Sequence, residues 1–228
     1  KKCKFLIVMG CLVQRYLTDL EKLIPEVDLY IKYSDYDKLW QKVEKLIKDE
    51  EIKEKINFDK IKDRVITTGN NYAYVKIADG CSNRCTYCAI PYIRGPLKSG
   101  DFEDIIEEVK ELAEKGYKEI ILTAQDTTKY GIDIYGRPRL AELLTEICKI
   151  EKIKWIRFLY AYPETIDDEL IKVVKENDKI CKYFDIPIQH ISDTVLKRMN
   201  RHSDGTSIRN LINKLRQEIP EVVIRTTV

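Results

Sequence analysis

Three cysteines fall within eight residues, Cys81, Cys85 and Cys88 in the stretch Gly80-Cys81-Ser82-Asn83-Arg84-Cys85-Thr86-Tyr87-Cys88, and no other feature constrains the chain as tightly. Thiolates this close wrap one face of a compact soft-metal centre, zinc or iron–sulfur. A structural zinc ion takes four protein ligands. The next cysteine, Cys148, lies sixty residues on and His190 further still, so the set is one ligand short for zinc. A 4Fe-4S cluster on three cysteines leaves one iron open, and the missing ligand becomes a place for a small molecule. The competing reading is a zinc knuckle or a loop of reduced thiols.

Composition narrows the setting. With 228 residues, 44% hydrophobic and 34% charged, the chain can bury a core and build one large or two modest domains. Forty basic against 38 acidic residues leave no basic footprint for a nucleic-acid backbone, so a folded protein or a small molecule is at least as good a partner. Seven cysteines, three of them in one knot, point to a reducing cytoplasm rather than a disulfide framework. Lys1-Lys2 before Phe5-Leu6-Ile7-Val8-Met9-Gly10-Cys11 mimics a lipoprotein leader, but the apolar run is short and polar residues resume at Gln14-Arg15. It reads as a buried parallel strand, a turn and a helix. No apolar run reaches the length of a membrane span, so no membrane partner is expected. The chain lacks an initiating Met and is expected to be a fragment. It has no Ser-His-Asp order, no HExxH, no glycine-rich phosphate loop and two histidines in all, which disfavours polar hydrolysis.

Periodicity predicts an α/β protein. Residues 1–48 read as a strand at Phe5–Met9, a helix over Leu17–Ile24, a strand at Val27–Ile31 and a second helix carrying Leu39, Trp40, Val43, Leu46 and Ile47 on one face. Residues 49–66, rich in Lys, Glu and Asp, read as a linker. From 67 to 228, strands at Tyr74–Ala78, Glu119–Thr123, Trp155–Leu159, Tyr183–Ile188 and Val222–Thr227 alternate with helices at Phe102–Glu114, Arg139–Ile150, Asp167–Glu176, Thr194–Met199 and Ser207–Glu218. This alternation predicts a parallel sheet with right-handed crossovers. The cysteine loop, Gln125-Asp126-Thr127-Thr128, Ala161-Tyr162-Pro163-Glu164 and Gln189-His190-Ile191-Ser192-Asp193 each follow a strand, so all are expected on one rim.

CxxxCxxC with an aromatic before the last cysteine resembles the radical S-adenosylmethionine enzymes. The stretches "IPYIRGPLKS" (90–99), "AQDTTKYG" (124–131) and "IPIQHISDTVLKRMNR" (186–201) narrow the resemblance to the methylthiotransferase family, through essentially the whole chain. Members of that family acting on tRNA carry QN after the second strand and QSGSD after the fourth; here stand Gln125-Asp126 and Gln189-His190-Ile191-Ser192-Asp193. The resemblance therefore implies the ribosomal-protein branch. Its target would be the β-carbon of an aspartate in small-subunit ribosomal protein twelve, with tRNA adenosine methylthiolation as the near alternative and a non-catalytic metal-stapled nucleic-acid-binding module as the distant one.

The same resemblance implies a partial TIM-type (β/α)6 radical barrel after part of an α/β methylthiotransferase domain, followed in the family by a sixth strand and a small all-β domain. It implies S-adenosylmethionine as radical source and methyl donor, an electron donor such as flavodoxin or ferredoxin, a cytoplasmic location and a monomer. Cys81, Cys85 and Cys88 would ligate the first 4Fe-4S cluster. Gly10-Cys11-Leu12-Val13-Gln14-Arg15 matches the family segment that carries one ligand of a second 4Fe-4S cluster, so Cys11 carries over, whereas Cys3 is read as an incidental thiol. Tyr87 would lie beside the adenine, or pack in the core. Gln125, Asp126, Gln189 and His190 are candidates for contacts with cofactor or substrate, Asp126 and His190 as catalytic groups. Asp126 would equally cap its loop by an Asx turn, and His190 would equally satisfy a helix start. Arg94 and Lys98 flank the next loop, and Arg225 has a direction that register decides.

Overall fold

A computed structural model describes residues 3–48 and 66–228. Of these, 3–48 with 89–95 form one unit and 66–88 with 96–228 the other. The linker expected over 49–66 lies outside the described residues except at Ile66.

In the first unit β1 (Ile7–Gly10) and β2 (Leu29–Lys32) pair in parallel, Ile7 opposite Leu29 and Gly10 opposite Lys32, with α1 (Cys11–Leu23) crossing between them. The helix starts at Cys11 and breaks at Tyr16 (φ −126°), so the helix expected from Leu17 is its second stretch. Gly10, at φ 118°, makes the turn directly off the strand in a backbone region that side chains disfavour. Val13, Leu20 and Ile31 are buried, and the Tyr30 hydroxyl meets the carbonyls of Leu20 and Ile24, each at 2.9 Å, at the C-terminal end of α1. A 3-10 turn, Tyr33–Lys38, leads into α2 (Leu39–Lys48).

The second unit is built on parallel strands. β3 (Tyr72–Lys76) ends two residues before β4 (Ala78–Asp79), which turns away from the sheet and pairs antiparallel with β5 (Lys98–Ser99). The strand expected over Tyr74–Ala78 is thus divided, and the short pair brackets the cysteine loop. Between β4 and β5, α3 (Ile90–Ile93) lies within the segment assigned to the first unit. β6 (Glu119–Thr123) joins β3 on one side and β7 (Trp155–Phe158) on the other. β8 (Tyr183–Asp185) and β9 (Val223–Arg225) form a parallel pair, linked to β7 by a bridge between Ile156 and Ile180 and by the Ala161 N–H donating to the Asp185 carbonyl at 2.8 Å. Five parallel strands therefore stand in sequence order. The crossovers carry α4 (Phe102–Glu114), α6 (Leu140–Cys148) after the short α5 (Ile132–Tyr135), α7 (Asp168–Glu176), and α9 (Gly205–Glu218) after α8 (Asp193–Arg198). This is part of the wall of an α/β barrel: the periodicity predicts its parallel sheet, and the family resemblance implies the barrel.

Alternation decides which sheet face is covered. Ala73, Val75, Ile120, Leu122, Ile156, Phe158 and Phe184 belong to the same buried core as Ile105, Val109, Leu112, Leu143, Leu144, Ile147, Leu170 and Val174 of the helices. Phe158 and Phe184 meet edge-on, centroids 5.4 Å apart. The intervening strand residues are more open: Arg157 bonds Glu119 at 2.9 Å and lies over the Tyr183 ring. Helix starts are capped by Asp101 on α4, Asp167 on α7 and Asp204 on α9. No helix among the described residues is long and apolar enough to cross a membrane.

Candidate active site

The cysteine loop is shaped by left-handed residues and held by hydrogen bonds to distant segments. Gly80 (φ 67°) and Arg84 (φ 50°) bend it, and the Cys88 N–H donates to the Cys85 carbonyl at 3.0 Å. The Thr86 N–H donates to the Met199 carbonyl at 3.1 Å and its hydroxyl to the Arg198 carbonyl at 3.0 Å, while Asn200 Nδ2 donates to the Arg84 carbonyl at 3.0 Å. All three cysteines are free and partly exposed. Burial pushes the Cys81 thiol up, opposed by a backbone hydrogen bond from Asn83 and joined by the charges of Asp126, Cys85 and Cys88. Among the described residues no three His, Cys, Asp or Glu side chains, these cysteines included, stand gathered closely enough to hold a metal ion.

Asp126 supports this loop from below. It is 2% exposed, accepts from Asn83 Nδ2 at 2.8 Å on one oxygen and from the Thr128 hydroxyl at 2.6 Å on the other. Lys129 Nζ in turn donates to Asn83 Oδ1. Burial raises the Asp126 carboxyl, opposed by those hydrogen bonds and by the Lys129 charge. These contacts are to side chains, and Asp126 makes no side-chain cap on the 3-10 turn Thr127–Lys129, so the loop is held by Asn83 and Thr128 rather than by the Asx turn that sequence offered.

A second cluster forms around Tyr162, which follows β7. Its hydroxyl lies 3.2 Å from Cys85 Sγ, and the Arg201 guanidinium lies 3.8 Å from its ring centroid. Arg201 is 6% exposed, donates through Nη2 to the Pro187 carbonyl at 2.8 Å and through Nη1 to the Tyr87 hydroxyl at 3.4 Å. Tyr87 is 51% exposed, so its ring is not core packing. Glu164 Oε1 accepts from the N–H and hydroxyl of Ser203, tying the loop after β7 to the segment that carries Arg201.

Two buried polar atoms near these groups lack a partner among the described residues, Gln125 Oε1 and Arg201 Nε. Buried polar groups are nearly always paired, so one acceptor and one donor here are left for something else. Gln189 adopts φ 67° and its N–H donates to the Thr227 carbonyl at 2.8 Å. His190 Nδ1 accepts from the Ser192 N–H at 2.9 Å, the local role its alternative reading described; the neutral ring then carries its proton on Nε2. The non-glycine residues with positive φ among those described are Arg84, Tyr160, Gln189 and Asn200, all in loops of this rim. Such conformations cost on the order of 1 kcal/mol each, least for Asn200. Arg225 pairs in register with Asp185 and reaches its carboxylate at 3.5 Å, which answers the direction that sequence left open.

In the first unit Cys11 is the first residue of α1, with Arg94 Nη2 at 3.9 Å from its sulfur and the Arg94 guanidinium 4.7 Å from the Tyr33 ring centroid. Cys3 is exposed and donates to the Phe5 carbonyl at 2.7 Å.

Sequence reasoning assigned no role to Asn83, Lys129, Tyr162 or Arg201. Their common signal was position, since each lies in a strand-end loop or in a stretch already singled out. The donor chemistry suits an iron–sulfur centre with an amino-acid ligand: three free thiols on one pinned loop, an unpaired acceptor for an ammonium group and an unpaired donor for a carboxylate.

Comparison with known proteins agrees with this chemistry. The Radical SAM superfamily model matches residues 75–228. The chain is 64% identical over 226 residues to the protein called ribosomal protein uS12 methylthiotransferase RimO from Alkaliphilus oremlandii, covering 99% of this chain and 51% of that one. It is 53% identical to the protein of the same name from Caldicellulosiruptor saccharolyticus, covering 100% of this chain and 53% of that one. The chain thus spans about half the length of the curated relatives it matches. Among solved structures, the cobalamin-dependent S-adenosylmethionine radical enzyme OxsB superposes with a TM-score of 0.67 over 96% of this chain and 35% of its own, at 14% identity. The radical S-adenosylmethionine methyltransferase TsrM from Kitasatospora setae gives 0.53 over 69% of this chain and 30% of its own, at 16% identity. These two likenesses concern the fold.

Proposed function

The chain belongs to the Radical SAM superfamily, and from that premise we propose that it is the radical-generating part of a methylthiotransferase acting on ribosomal protein uS12, at the β-carbon of an aspartate. The observation that carries this reading is the cysteine loop, pinned to loops from other strand ends beside one unpaired buried acceptor and one unpaired buried donor. The names of its relatives supply the substrate.

In this reading Cys81, Cys85 and Cys88 hold a 4Fe-4S cluster as thiolates. With S-adenosylmethionine bound, the cluster would pass on an electron from the external donor, and the cofactor would serve twice, one molecule consumed as radical source for hydrogen abstraction and a second as methyl donor. Arg201 Nε would be a donor available to the carboxylate of the methionine end, and Gln125 Oε1 an acceptor for its amino group. Tyr87 offers a ring to the adenine, and Gln189 a polar side chain to the cofactor. His190, with Nδ1 engaged by the backbone, presents an N–H and so orients substrate rather than taking its proton. Asp126 keeps the cysteine loop in place and holds Thr128. Cys11 is one ligand of a second 4Fe-4S cluster that delivers sulfur. A flavodoxin or ferredoxin supplies electrons to a monomer working in the cytoplasm.

The test begins with anaerobic reconstitution, metal and sulfide analysis, then S-adenosylmethionine with dithionite. About four irons per chain and release of 5′-deoxyadenosine are expected, both lost in Cys85→Ala. One zinc per chain with intact S-adenosylmethionine sinks the reading. On the full-length protein, mass spectrometry of uS12 should show the added methylthio group; its appearance on tRNA adenosine instead would reassign the substrate.

A further inference from the structure

We propose that the Tyr162 hydroxyl donates a hydrogen bond to the Cys85 thiolate and thereby raises the reduction potential of the cluster that Cys81, Cys85 and Cys88 hold. The inference rests on the assignment of Cys85 as a cluster ligand.

The two residues are 77 positions apart, yet oxygen and sulfur are 3.2 Å from each other. In the free thiol either atom is able to donate. A ligating cysteine is a thiolate without a proton, so the direction becomes fixed and the phenol must be the donor. Tyr162 is built for that single orientation. Its side chain is 6% exposed, its N–H donates to the Thr128 hydroxyl at 3.2 Å, and its carbonyl accepts from the Thr165 hydroxyl at 3.2 Å. Two cations address the ring, the Arg201 guanidinium at 3.8 Å and Lys129 Nζ at 5.7 Å from the centroid. Positive charge over the ring draws electron density from the hydroxyl and strengthens it as a donor. Arg201 does not drift, because Pro187 and Tyr87 hold its two terminal nitrogens.

A hydrogen bond to a ligand sulfur stabilises negative charge on the centre, and the reduced state carries one more negative charge than the oxidised one. The reduced state therefore gains more, and the potential rises. On the Tyr162 side, 6% exposed, solvent screens the effect little. Tyr162 is thus a positioning and tuning residue, acting through Cys85 on the ease with which the donor's electron arrives.

The experiment is potentiometric titration, followed by electron paramagnetic resonance, of the anaerobically reconstituted full-length protein without S-adenosylmethionine. Tyr162→Phe keeps the ring and the stacked cations and removes only the hydroxyl. Its midpoint should be more negative than wild type at equal iron and sulfide content. Arg201→Gln keeps the hydroxyl and removes the nearer cation; its shift should have the same sign and be smaller. An unchanged midpoint in Tyr162→Phe overturns the proposal. If that variant fails to hold iron, Arg201→Gln decides instead, an unchanged midpoint overturning and a negative shift supporting it. Wild type that assembles no 4Fe-4S cluster refutes the parent reading, an outcome visible before any variant is made.

Discussion

Asn83 and Asp126 illustrate how one side-chain pair transmits order to the cysteine loop. Asn83 donates to Asp126 while accepting from Lys129, so its amide orientation is decided from both sides. Asp126→Asn turns charge-assisted hydrogen bonds into neutral ones and needs its Nδ2 to face the Thr128 hydroxyl, which must then donate to Thr165 instead. Thermal or urea unfolding of the apo chain should show a loss of about 1–3 kcal/mol. The exchanged pair Asn83→Asp with Asp126→Asn restores a charge-assisted hydrogen bond between the two and keeps a partner for Lys129, and should recover most of that loss. The pH dependence has a definite sign. Burial raises the folded pKa of Asp126 above its unfolded value, so the unfolded chain ionises first as pH rises. Stability from this group therefore falls with pH between the two values, and Asp126→Asn should lack that slope. None of this was legible locally: the spacing announced three cysteines, and nothing near Asn83 announced its partner 43 residues away.

At the scale of elements, α9 begins with a reciprocal cap. Asp204 accepts from the Ser207 N–H at 2.6 Å, and the Ser207 hydroxyl is 3.0 Å from the Asp204 N–H that donates to it. The backbone hydrogen bond from Ser207, joined by its side chain, holds the Asp204 carboxyl below its ordinary value. A lowered carboxyl stabilises above the unfolded pKa and loses its contribution as pH falls through the folded one. Asp204→Ala should therefore melt below wild type at neutral pH, and the gap should narrow in acid. The next residue, Gly205, has no room for a side chain, since a Cβ there would stand 2.4 Å from the Ile191 carbonyl oxygen. Helices were the most legible elements. Phe102–Glu114 has the bounds its apolar spacing predicts, with Asp101 before it and Gly116 after it. The two-residue pair of β4 and β5 was not legible, because a pairing that short has no period to detect.

At the scale of the molecule, the two units are not consecutive stretches of chain. Residues 89–95, which follow Cys88 directly, group with the first unit, where Arg94 meets Cys11 and Tyr33. A chain beginning at Ile66 lacks those partners, so trypsin should cut it after Arg94 faster than it cuts residues 1–228; equal rates would show that the segment keeps its shape unaided. The sequence by itself determined the α/β class, the order of strands and helices, the three-cysteine loop and the resemblance to the methylthiotransferases. These depend on periodicity and spacing, which are properties of neighbouring residues. Only the tertiary structure decided that Asp126 holds the loop, that Tyr162 touches Cys85 and that Arg201 reaches Tyr87 from 114 residues away. Contacts at such separations leave no local pattern, because they form only when the strand ends curl to a common rim and bring side chains of unrelated segments within hydrogen-bond reach.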